Sequence, residues 1–293
     1  MSKQLQTHLF AFITVLIWGA GFPFTRAIGD QIGPFSLVFI RCCTGFVILL
    51  LLGRITGGIR KPFTRKHHLF FFLAGLSGFS LYLVFFNLGL VTLDSATASV
   101  ISATCPIFTA IAASKIYHEK IKPIGWIMML CAFIGVVVLL VWDNGFHIKI
   151  GALWVLLLSI LFAFYNLLDR KLTSIGYTSM EKVTYATMWG AVQSLVFLPS
   201  AAHDMVHASL TANLAAIMLG VLATALAYFF WGRALSLTNK TSTVTNYIFL
   251  NPLIASVIGV LLLREVPTPA TFAGGIIIVV SVVIFSLKGV PHE

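Results

Sequence analysis

One long stretch of this sequence occurs twice, and that repeat limits the fold more than any other feature. Pro106, Glu119 and Pro123 in the segment beginning at Ala96 correspond to Pro252, Glu265 and Pro269 in the segment beginning at Ser242. Each pair lies 146 residues apart. Each copy reads as two apolar helices, with a proline inside the first and a glutamate–proline turn between them.

Such helices need a solvent, and composition says which. Of 293 residues, 59% are hydrophobic and 10% charged, with a mean hydropathy of +0.99. Soluble domains carry about a quarter charged residues, so this chain lacks the polar surface to face water on all sides. The bilayer is its natural solvent. The net charge of +10 does not signal nucleic acid, because the basic residues sit in short gaps between apolar runs and read as an orientation signal. Cys42, Cys43, Cys105 and Cys131 all fall inside apolar runs and match no metal or disulfide spacing. They read as reduced packing residues. The first apolar run follows a lysine but lacks a clear A-x-A cleavage site, so it reads as an uncleaved span.

A crossing helix needs about 20 apolar residues. That rule gives ten spans, near 9–28, 35–52, 69–92, 95–117, 123–142, 151–172, 180–198, 213–235, 241–263 and 269–287. The gap after span two holds Arg54, Arg60, Lys61, Arg65 and Lys66, and the gaps after spans four, six and eight hold most other positive charges. Both termini therefore lie in the cytoplasm. Lys149 and Arg264 are exceptions. Ten spans divide into halves at 1–146 and 147–293. The segments Trp18–Arg26 and Phe162–Arg170, 144 residues apart, support the division. Five is odd, so the second half enters the membrane from the opposite side. The expected fold is an all-α integral membrane protein of ten transmembrane helices in two inverted five-helix repeats, a layout typical of secondary transporters.

These residues resemble the EamA-family transporters of the drug/metabolite transporter superfamily. The likeness lies in the proline of each half's fourth helix, and in the turns at His118-Glu119-Lys120-Ile121 and Arg264-Glu265-Val266. Trp18-Gly19, the Pro34 to Arg41 spacing and Gly135-Val136 add to it. The second half departs in having Ser281 where the first has Gly135, and Phe162 where it has Trp18. The resemblance implies metabolite transport through a cavity lined by spans one, three, four, six, eight and nine. It also implies a multi-pass protein of a bacterial inner membrane, and it leaves the solute open.

Polar groups in hydrocarbon are costly and mark candidate sites. Arg41 sits about six residues into span two, roughly 9 Å below the outer surface. It reads either as a clamp for a solute carboxylate or as a structural arginine that snorkels outward or bonds helix carbonyls. The resemblance favours the structural role, since it places an arginine here in members with different solutes. The fourth and ninth spans hold many hydroxyls and amides. Their prolines free the carbonyls of Ser102 and Ile248, and freed backbone at membrane depth survives where it is buried or faces a cavity. Ser99, Ser102, Asn246 and Asn251 are thus candidate cavity residues. Trp18, Phe22, Tyr82, Phe86, Tyr165, Tyr228 and Trp231 supply an aromatic wall, with Asn87 and Asn166 as orienting amides. Tyr82 and Tyr228 are also 146 residues apart.

No acidic residue falls at the middle of any span, which argues against a midplane carboxylate that exchanges a proton for a cationic drug. Glu119 and Glu265 read as braces of their turns. Nothing matches H-E-x-x-H or G-x-S-x-G, so the chain is not expected to be an enzyme, and no cofactor or metal is expected. The expectation is a secondary transporter exporting a small, amino-acid-like metabolite by alternating access, its partners being that solute and the lipid bilayer. The alternative is an exporter of amphipathic drugs or cations, and an intramembrane enzyme is a distant third. The oligomeric state is left open.

Overall fold

A computed structural model describes residues 2–55, 59–60, 64–117, 121–142, 150–237, 244 and 246–289, without the side chains of 139–141, 246 and 286. Local sequence sets the helix starts. The side chains of Ser2, Asp94, Ser209 and Thr268 each accept a backbone N–H three residues ahead, and Thr178 forms a reciprocal capping box with Glu181. Pro123 and Pro269 occupy first-turn positions, where a missing N–H costs nothing.

The helical segments, in order, are α1 (Lys3–Ala27), α2 (Pro34–Ile55), α3 (Arg65–Thr92), α4 (Ser95–Ile116), α5 (Pro123–Val141) and α6 (Ile150–Ile175). Then come α7 (Ser179–Gln193, continued through a 3-10 turn into Leu198–His207), α8 (Leu210–Ser236), α9 (a 3-10 turn Asn246–Leu250, then Asn251–Leu263) and α10 (Pro269–Gly289). Among the described residues, seven of these are long and apolar enough to cross a membrane: α1, α2, α3, α4, α6, α8 and α10. α5 and α9 are shorter apolar helices. Their outer faces carry exposed Trp126, Leu130, Leu253 and Val257, and α10 exposes Phe272 and Ile276. Such faces suit lipid contact. The chain is an all-helical, multi-pass membrane protein.

The packing treats the halves alike. α1 packs on α8 and α9, while α6 packs on α3 and α4. α2 pairs with α7, and α5 with α10. Exchanging each helix of the first half for its counterpart in the second reproduces the same pairs. The α5–α10 seam is tight because Gly135 has no side chain: a Cβ there would stand 2.7 Å from Ile278 Cγ1 and 3.0 Å from the Gly274 carbonyl oxygen. Small residues allow this close approach where lipid supplies no hydrophobic drive between helices.

Two further features come in matched positions. α3 contains a π segment, Leu76–Ser80, and α8 contains another, Gly220–Leu226. A π turn widens the hydrogen-bond ladder and leaves carbonyl capacity for other donors. Trp18 Nε1 donates to the Ala223 carbonyl (3.1 Å), and the Tyr228 hydroxyl donates to the Gly78 carbonyl (2.6 Å).

Candidate functional site

The two prolines each mark an interruption of their helix. α4 stops at Ser102 and resumes at Cys105, with Pro106 in the first turn of the new segment. α9 changes from 3-10 to α geometry at Asn251, with Pro252 in the equivalent place. Each break lies against a cavity of ≈ 40 Å³ between the halves, bordered by α1, α2, α3, α4, α6, α8 and α9. That volume admits a few water-sized groups.

Seven residues expected for the wall and the polar lining border this cavity: Trp18, Phe22, Tyr82, Phe86, Ser102, Tyr228 and Asn251. The aromatic ones form a continuous wall. Trp18 meets Tyr228 and Phe162 edge-on, with ring centroids 5.1 and 5.5 Å apart, and Phe22 tilts onto Phe86 at 4.9 Å. Edge-on and tilted contacts match the ring quadrupoles and hold the wall in shape.

The other candidates lie elsewhere. Asn87 donates from Nδ2 to the Pro34 carbonyl (2.7 Å), tying α3 to the start of α2. Ser99 is fully buried and donates to the Ala96 carbonyl in its own helix. Tyr165 packs against Phe79 and Tyr228 in the core behind the wall. Asn166 accepts from Trp231 Nε1 at 3.4 Å, so these two residues occupy each other. The Asn246 side chain lies outside the described residues.

Arg41 does not snorkel. It is 4% exposed and borders the cavity. Its Nε donates to Thr224 Oγ1 at 3.2 Å, its guanidinium carbon stands 5.5 Å from the Phe86 ring centroid, and its Nη1 has no hydrogen-bond partner. It bonds a hydroxyl of the α8 π segment rather than a helix carbonyl. Among the described residues, none bordering the cavity is acidic. Cys105 and Phe162 border it too. Phe162 was discernible as the repeat counterpart of Trp18, whereas Cys105 carried no signal beyond adjacency to Pro106.

Polar ties stand at both ends of the helix bundle. Next to Phe22, one helical turn along α1, Arg26 pairs with Glu265 and donates from Nη1 to the carbonyls of Leu90 (3.0 Å) and Leu93 (2.5 Å). Glu265 also accepts the Ser95 amide (3.0 Å). This set joins α1, α3 and α4 to the α9–α10 turn. Glu119 lies outside the described residues. At the opposite end, Arg60 binds Glu181 and the Gly176 carbonyl, and Lys182 pairs with Asp169 at 2.6 Å.

A lipid-facing helical shell around a polar-tipped aromatic cavity, framed by two equivalent halves, defines a membrane transporter. The family comparison agrees. The model of the EamA-like transporter family matches residues 5–141 and again 149–287, and the chain belongs to that family, within the drug/metabolite transporter superfamily. It is 29% identical to an uncharacterised transporter of Bacillus subtilis, over 98% of this chain and 92% of that one. It is 27% identical to a probable terminal-alkyne amino-acid exporter of Streptantibioticus cattleyicolor, over 94% and 92%. Identity is 26% to an S-adenosylmethionine uptake transporter of Rickettsia conorii, over 95% and 93%. A solved crystal structure with 18% sequence identity shares the fold, at a TM-score of 0.67 over 98% of both chains.

Proposed function

We propose that the protein is a secondary transporter that exports a small, amino-acid-like solute across a bacterial inner membrane by alternating access. In this reading the helices α1 to α10 make ten crossings, with α7 crossing despite its 3-10 interruption. Residues 1–146 and 147–293 form halves inserted with opposite orientation, and both termini are cytoplasmic. Four observations support it: the two family matches, the exchange-invariant packing, the odd number of helices per half, and the positive charge gathered in alternate loops.

The observation that carries the solute class is the cavity itself. It combines aromatic walls, Ser102, Asn251 and a buried guanidinium, with no acid among its described lining residues. A cationic drug would find no counter-charge there. Two relatives carry names whose solutes contain an amino-acid group, one an exporter and one an uptake transporter. The first of these supports export.

Counterflow in proteoliposomes, run with labelled amino acids and with amphipathic cations, tests the reading. Amino acids are expected to exchange while cations stay inert. Cation flux with inert amino acids would overturn the solute class, and absence of flux for every solute would overturn transport.

A further inference from the structure

We propose that Arg41 anchors the carboxylate of the solute and that Asn251 receives its ammonium, so that the cavity recognises the zwitterionic head of an amino acid. The inference deepens the transporter reading above and depends on it. Arg41 is buried at 4% exposure, yet its two compensations are weak for a full charge: one hydroxyl, Thr224 at 3.2 Å, and the face of Phe86 at 5.5 Å. Nη1 has no partner. A guanidinium kept out of water needs an anion or a full set of acceptors, and among the described residues the cavity wall offers no carboxylate. The unpartnered Nη1 is a charged donor, and a carboxylate oxygen would answer both its hydrogen bond and its charge.

A second orphan defines the other half of the head group. Asn251 is 5% exposed, borders the same cavity, and its Oδ1 has no donor. A simple anion would leave that oxygen unpaired. An α-amino acid carries a donor ammonium two bonds from its carboxylate carbon, so one small group answers both orphans. Trp18 and Tyr82 present aromatic surface beside them, which favours the cationic end further. The ≈ 40 Å³ of free space fits a head group and not a whole solute. The side chain enters only when the halves part.

The test titrates the purified full-length protein by tryptophan fluorescence, since Trp18 lies in the wall. Two probe sets are used: L-phenylalanine, 3-phenylpropionate and 2-phenylethylamine, then L-leucine, 4-methylpentanoate and isopentylamine. In at least one set the amino acid is expected to bind saturably, the deaminated acid about tenfold more weakly, and the amine at least about a hundredfold more weakly. Arg41→Lys keeps the charge but loses the fork, and weakens both carboxylate probes about tenfold. Asn251→Ala brings the amino acid down to the level of its deaminated acid and leaves that acid unchanged, a split that a merely structural role would not produce. An amine that binds as tightly as its amino acid overturns the proposal, as does wild-type affinity in a folded Arg41→Lys protein or silence from every carboxylate. The unmodified protein decides the matter even if a variant does not fold. Saturable 2-phenylethylamine flux in proteoliposomes, indifferent to Arg41→Lys, would sink the anchor and keep transport; no flux of any probe would sink transport itself.

Discussion

Lys182 and Asp169 show how strictly single side chains are constrained in this interior. Their pair is 2.6 Å long with both partners under 5% exposed, and Lys182 also donates to Thr173 Oγ1. Removing one partner strands the other charge, so Lys182→Met is expected to destabilise the protein by about 3–5 kcal/mol. Thermal unfolding in detergent measures this, and the double variant Lys182→Met with Asp169→Leu should regain most of the loss. A double variant no more stable than the single one would refute the account. Asp169 and Lys182 sit near span ends in the sequence, where nothing marks them as a buried pair. Arg41 was harder to read for a related reason. α2 is apolar nearly all round, so periodicity marks no inward face, and the same arginine fits a snorkelling or a buried role. Only the packing of α8 and α3 against α2, which brings Thr224 and Phe86 to it, decides the matter.

At the scale of elements, seven of the ten expected spans were legible as helices long and apolar enough to cross, because twenty-residue apolar runs and Gly-Pro punctuation mark them directly. The π segments were not legible. A shift from i+4 to i+5 bonding leaves no trace in hydropathy, and Leu76–Ser80 and Gly220–Leu226 contain no proline. They nevertheless decide the site, because the Ala223 carbonyl orients Trp18 and the Gly78 carbonyl orients Tyr228. Two glycines give a sharp test of helix packing, since Gly135 at the α5–α10 seam and Gly275 on the face of α10 against α4 should respond oppositely. A Cβ on Gly135 meets Ile278 at 2.7 Å, whereas one on Gly275 meets Val100 at 3.5 Å, an ordinary contact. Gly135→Ala is expected to cost about 1–3 kcal/mol through overpacking. Gly275→Ala is expected to be neutral or to gain up to about 1 kcal/mol from reduced backbone freedom in the unfolded chain. Melting temperatures in detergent that fall equally for both would contradict this reading of the two contacts.

For the whole molecule, the repeat spacing of 146 residues announced two halves, but it did not announce which polar contacts hold them together. The ties around Glu265 supply one such set. Arg26, the Ser95 amide and the α3 carbonyls of Leu90 and Leu93 converge at the end of the cavity which positive-charge bias assigns to the outside. Arg26 and Glu265 belong to the two separate family matches, so under the alternating access proposed above the pair breaks when the halves part on that side. Cys105, buried at 3% and bordering the cavity, provides the reporter. In a protein whose other cysteines are replaced by alanine, a membrane-impermeant thiol reagent applied outside should label Cys105 slowly. Glu265→Gln removes the charge while keeping a hydrogen-bonding amide. A partly exposed pair contributes up to about 1 kcal/mol, so labelling should rise up to about fivefold. Labelling that stays at the original rate would mean that the pair braces the α9–α10 turn without holding the outer side closed. A rise seen equally in Lys182→Met, whose pair lies at the opposite end, would mean loosening of the whole fold. Faster labelling confined to Glu265→Gln, and slowed again by L-phenylalanine or L-leucine, is the result that joins the latch, the cavity and the solute in one transport cycle.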